Sequence, residues 1–135
     1  MGLSSRFPGP PIPIVSESIL TDGMIVRVGS ADNTVRLPGG ASPTTSLVGV
    51  MFRPDGSACA AGDTIDLLIS GAYPLIASGT ITRGDFVTSG GTDGSVITQA
   101  AAAGVAVAVI GQALESAVSG DRVLCTINPL IMQGA

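Results

Sequence analysis

The residues of this chain best suited to chemistry are few: the carboxylates of "GDTID" (Asp63 and Asp66), the thiols of Cys59 and Cys125, and the tripeptide Arg83-Gly84-Asp85. Two carboxylates can divide general acid and base work when they converge on one substrate. Three residues apart on a strand, Asp63 and Asp66 point to opposite faces and do not converge. Two cysteines are too few for a four-ligand zinc site or a disulfide scaffold, and they read as buried thiols. The tripeptide spells an integrin-recognition signal. Its Gly-Asp pair, however, recurs without the arginine at Gly62-Asp63 and Gly120-Asp121. Glycine supplies a positive φ and aspartate caps its own turn, so all three copies read as turns that start strands.

The missing residue types exclude more. The chain has no His and no Lys. That rules out Ser-His-Asp and Cys-His machinery, His-ligated metals, a phosphate-loop lysine and Schiff-base chemistry. The glycine-rich pieces "LPGGAS" and "TSGGTDGS" lack phosphate-cradle spacing and read as loops. We therefore expect no enzyme activity, no cofactor, no metal and no small-molecule substrate. Six arginines (Arg6, Arg27, Arg36, Arg53, Arg83, Arg122) are scattered among ten acidic residues, for a net charge of −4. Phosphate backbones are bound by clustered positive charge, so nucleic acid is not an expected partner.

The elements that must carry these residues are short. Nineteen glycines and nine prolines in 135 residues favour many brief strands joined by tight turns. Strand signals fall at Met24–Val28, Thr34–Leu37, Leu47–Phe52, Thr64–Ile69, Tyr73–Ile76, Asp85–Thr88, Ser95–Thr98, Val105–Ala113 and Arg122–Ile127. In "VAVAVIG", Val105, Val107 and Val109 share one face and alanines the other. Helix is expected only as a turn or two, around Gln112–Val118 or within Gln99–Ala103. The expected core includes Val50, Ile65, Leu67, Ile69, Val107, Val109, Leu124 and Ile127. The longest fully apolar run, Ala100–Gly111, is 12 residues, against about 20 for a membrane-spanning helix, so no membrane partner is expected.

Two segments result. Residues 1–14, which contain "FPGPPIPI", are restricted in φ at four prolines; they are expected to form an extended arm and neither a helix nor a central strand. No apolar signal-peptide core can form there. Within the arm, Phe7, Ile12 and Ile14 are candidate apolar anchors on a backbone stiffened by Pro8, Pro10, Pro11 and Pro13, a partner-binding element of low ordering cost. Residues 15–135 form a single, mainly β domain, a small antiparallel barrel or sandwich. Hydrophobic residues make up 45% of the chain and charged residues 12%, about half the usual charged share, which suits a protein whose surface is covered in an assembly.

The closing stretch "VIGQALESAVSGDRVLCTINP" (Val109–Pro129) resembles the C-terminal part of phage capsid decoration, or cement, proteins of the lambda-like head type. There a strand ending Ile-Gly-x-Ala precedes Gly-Asp and a terminal strand. "LVGVMF", "AAGDTIDLLISGAYPLIAS" and "ITRGDFVTSGGTDG" match upstream in the same order, so the resemblance covers about Asp22 to Pro129. It implies a structural protein of the virion, made in the host cytoplasm, that binds the outer capsid surface and stabilises it. Its implied partners are the major capsid protein and itself, as a homotrimer. The proline-rich start departs from the family pattern. Two other readings stand beside it: a tail or baseplate β module, and a free-standing ligand-binding β-barrel, for which Tyr73 alone makes a poor aromatic platform.

Overall fold

The fold is known from a computed structural model that describes residues 7–8, 10–43, 47–100 and 103–133. Among them all regular structure is β. The strands are β1 (Phe7–Pro8), β2 (Ile12–Ser16), β3 (Ile25–Val28), β4 (Thr34–Arg36), β5 (Gly40–Ala41), β6 (Leu47–Phe52) and β7 (Thr64–Leu68). They continue as β8 (Gly71–Ile76), β9 (Phe86–Gly91), β10 (Val96–Thr98), β11 (Ala106–Val109), β12 (Gly111–Gln112), β13 (Arg122–Thr126) and β14 (Leu130–Gln133).

Five strands close into a barrel in the order β2-β4-β3-β6-β7, antiparallel except for the β2–β4 pair. Its interior holds Leu20, Val26, Val35, Met51, Ile65 and Leu67, with Cys59 at one end. A second core lies between this barrel and the remaining sheets. Ile25, Leu47, Val50 and Leu68 reach it from the barrel wall, and Tyr73, Leu75, Val87, Ile110, Val123 and Cys125 from the other side. Strand β6 is the shared wall and is covered on both faces. A bulge opposite Val26 and Arg27 lets Val48 face the barrel interior while Leu47 and Val50 face the second core. The second layer also nearly closes on itself: β13 pairs β8, β10 and β12 flank β9, and an Ala77–Val96 bridge joins β10 to the end of β8.

Two glycines are set by close approach or turn geometry. A Cβ at Gly111 would run into the Thr126 carbonyl, so β12 can lie against the end of β13 only as glycine. Gly84 sits at φ 96° in the Arg83-Gly84-Asp85 turn, and its counterparts Gly62 and Gly120 at 94° and 93° share the same conformation. In each copy the aspartate N–H donates three residues back, and its carboxylate accepts the N–H of that same residue. For Asp85 these bonds are Asp85 N to Thr82 O, 2.9 Å, and Thr82 N to Asp85 Oδ2, 2.9 Å. The three Gly-Asp pairs are therefore turns, as their recurrence predicts.

Several sequence expectations need correction. The exclusion of residues 12–14 from a central strand fails, because β2 runs through Val15, the expected start of the domain, and lies between β7 and β4. Proline is tolerated there because backbone groups alternate in direction. The Ser16 N–H points toward β7, to Asp63 O, and the Val15 N–H toward β4, to Asn33 O. Pro13, on the Val15 side, lies before the first β4 partner, Thr34, so its missing donor costs no ladder bond. Of the expected core, Ile69 is 43% exposed and Leu124 only half-buried, because β13 turns Val123 and Cys125 inward instead. Val105 is 48% exposed, while Val107, Ala108 and Val109 are all buried, both faces of β11 being covered. The helical turn that Gln112–Val118 left possible is not formed: that stretch is part of β12 followed by bridges from Ala113 to Cys125 and Ala117 to Ile81. Gln99–Ala103 lies partly outside the described residues.

Glu17 fixes the β3–β4 connection. Its carboxylate accepts the backbone N–H groups of Ser30 and Ala31 and the hydroxyls of Ser30 and Thr34. These donors, the Ser30 N–H foremost and then the Thr34 hydroxyl, hold its pKa down from 4.5 to about 2. A carboxylate with a depressed folded pKa adds stability that is complete above its unfolded pKa and disappears as pH falls through the folded one. Glu17→Gln should thus melt below wild type at pH 7, and the gap should shrink between pH 4.5 and about 2; a gap unchanged at pH 2 would refute the clamp. Gly111→Ala should cost about 1–3 kcal/mol in denaturant unfolding, as overpacking against backbone does. A neutral substitution would show that β12 and β13 can separate.

Candidate interaction surface

Among the described residues no group of three or more His, Cys, Asp or Glu could hold a metal ion. The two thiols are free and buried, and burial, then the charge of Glu115, pushes Cys125 up to about 12, which keeps it protonated and unreactive. Asp63 and Asp66 do not form a pair: Asp63 caps its turn through the Ala60 N–H, 2.8 Å, while Asp66 faces solvent on β7 opposite Pro13. Asp66 does line a cleft of about 280 Å³ with Phe52, Arg53, Pro54, Asp55, Thr64 and Ile65. Asp55 there is committed to the N–H and hydroxyl of Ser57, which lower its pKa. In the Arg83-Gly84-Asp85 turn the Asp85 carboxylate is taken by the Thr82 N–H and the Thr98 hydroxyl.

The residues expected to bind a partner are divided between two places. Phe7 and Pro8 form β1 on the edge of β8, opposite Ala72 and Gly71. Pro10 and Pro11 are exposed, and Pro13 is exposed on β2. Ile12 is 40% exposed at the barrel's end, and Ile14 packs half-buried against the barrel core. Ile12 and Ile14 share one side of β2, as extended geometry predicts, but only Ile14 on that side packs on the chain's own core. The part of the arm before Phe7, and Gly9, lie outside the described residues.

Composition anticipated an apolar surface, but sequence reasoning placed neither its residues nor a pair of facing charges. Large apolar side chains stand exposed around the molecule, among them Ile19 (67%), Val28 (59%), Val118 (58%) and Ile131 (46%). On the β3–β4 hairpin, Arg27 and Arg36 are direct cross-strand partners. The signal was there in the mirrored "RVGSADNTVR", in which Val28 pairs Val35 and Arg27 pairs Arg36.

No protein-family model matches the chain, and no curated protein sequence matches it. Among solved structures it is similar to the head fiber gp8.5 N base of bacteriophage phi29, with a TM-score of 0.62 and 19% identity over 87% of this chain and 92% of that one. At that identity the likeness shows a shared fold: the two-layer β architecture described above is also that of a phage head fiber base.

Proposed function

We propose that this chain is a structural protein of a phage virion, seated on the head, that binds the outer surface of the assembled shell and stabilises it. The observation that carries the reading is the fold shared with a phage head fiber base over nearly the whole of both chains. The sequence resemblance to head decoration proteins points to the same place on a virion by a separate route. Composition agrees with both. A chain with 12% charged residues and exposed Ile19, Val28 and Val118 gains by covering its surface in an assembly. The proposed partners are the major capsid protein and further copies of the chain, as a homotrimer, and the role is binding rather than catalysis.

The arm retains a part in this reading. Ile12 and Pro13 remain exposed beside Pro10 and Pro11, so this proline-stiffened strip is available to a shell subunit although β2 belongs to the barrel.

Shells assembled from the major capsid protein of the same virus provide the test. The purified protein should cosediment with them to a saturating stoichiometry and raise the temperature at which they disassemble. Folded protein that leaves the shells bare at every concentration would contradict the reading.

A further inference from the structure

Most carboxylates of this sparsely charged chain are accounted for by an internal bond. All but two of the carboxylates accept a hydrogen bond from a backbone or side-chain donor. Among the described residues the exceptions are Asp32 and Asp66. Asp66 shares its cleft with Arg53, whereas Asp32 stands exposed at the tip of the β3–β4 hairpin, with no cation beside it. The grip of Glu17 on Ser30, Ala31 and Thr34 holds that tip in one shape.

At the base of the same hairpin the opposite imbalance exists. Arg27 and Arg36 face each other across β3 and β4, an arrangement of like charges that destabilises a sheet unless something answers it. Neither guanidinium pairs with a carboxylate among the described residues. Arg27 is nonetheless fixed in place. Its Nε donates to Leu37 O at 3.0 Å, and its guanidinium lies over Gly39, where an added Cβ would be 3.1 Å from Nη2 and 3.3 Å from Cζ. The Nε of Arg36 is buried without any acceptor. An orphaned buried donor is costly to leave unmet. That Nε is itself closed to an incoming group; what the pair offers a carboxylate are its other guanidinium nitrogens, which no carboxylate of the same copy meets.

We propose that this pair takes the Asp32 carboxylate of a second copy, a contact that rests on the reading of the protein as a self-associating virion component. The charges are complementary, and both groups are left over after internal bonding. Tip and base are different surfaces of the hairpin, so the contact is head-to-tail, the kind that closes into a ring, and with three copies into the proposed trimer. Pre-positioning of Arg27 by Leu37 and Gly39 lowers the ordering cost of docking.

Charge exchange tests it. Self-association is measured by analytical ultracentrifugation for wild type, Asp32→Arg, Arg36→Asp and the double variant, each checked for a native melt. Each single variant should weaken association by about 10-fold or more, and the double variant should restore it to within about 3-fold of wild type, since the exchanged charges meet again. Arg36→Gln, which places no carboxylate beside Arg27, covers a failure of Arg36→Asp to fold, and it too must weaken association. Single variants that associate like wild type, a double variant as weak as the singles, or a wild type monomeric throughout would overturn the contact. Binding of the same proteins to shells separates the two ideas. Shells that bind wild type while the charge variants associate unchanged would sink the contact and keep the virion reading; rescue by the double variant with bare shells would do the reverse.

Discussion

The Asp22 carboxyl group is buried where the two layers of the molecule meet, 7% exposed, and must be given donors or the fold pays the desolvation of a carboxyl group for nothing. Two distant parts of the chain meet that demand, and a third binds the backbone beside it. The Tyr73 hydroxyl on β8 donates to Asp22 Oδ1 at 2.8 Å and Oδ2 at 3.1 Å, and the Arg53 N–H beyond β6 donates to Oδ1 at 2.7 Å. Arg122, at the start of β13, reaches the Asp22 carbonyl at 2.8 Å. Gly23 follows at φ 85°, where a Cβ would collide with the Arg122 guanidinium, and its N–H goes to Met51 O. Phe52 then packs edge-on against the Tyr73 ring at 5.5 Å. Barrel and second layer are tied at this polar point, and again where the Ile25 N–H donates to Gly94 O at 3.0 Å, so the relative placement of the two is specified.

That placement bears on the proposed role, for which a defined outer face is needed. The fold has little loose ornament: one layer is a closed barrel, the other nearly closed, and the loops are held by aspartate and glutamate caps. Closing strand edges removes unintended templates for pairing in a chain with few charges to guard them. What stays unsatisfied on the surface is then informative, which is why the exposed apolar side chains and the Arg27–Arg36 pair stand out.

Much of the fold was legible in the sequence because turn chemistry is local. Leu47–Phe52 was bounded to the residue, and the Gly-Asp turns follow from two side chains acting on their own backbone. Reading failed where a non-local partner decided the outcome. Pro13 argues against a central strand until the offset of β4 leaves its nitrogen facing no partner, and no local pattern gives that offset. Leu124 and Ile127 differ in parity and cannot both line one face of a continuous strand; which parity wins depends on the β8 register, in which Cys125 pairs Tyr73. β14 follows an Asn-Pro stop and exists because β11 offers it an edge. The surface was less legible than the fold. The mirrored hairpin sequence encodes the Arg27–Arg36 pairing, but whether those arginines find acceptors is a property of the packed molecule.

The claim that the Asp22 junction joins two layers into one unit is tested most directly by a double-mutant cycle in denaturant unfolding, with Asp22→Ala and Tyr73→Phe singly and together. A single cooperative transition in all four proteins, with a coupling of about 1–3 kcal/mol between the two sites, is the result expected of a hydrogen bond to a buried carboxyl group. Additive losses, or a wild type whose layers unfold in separate steps, would contradict it.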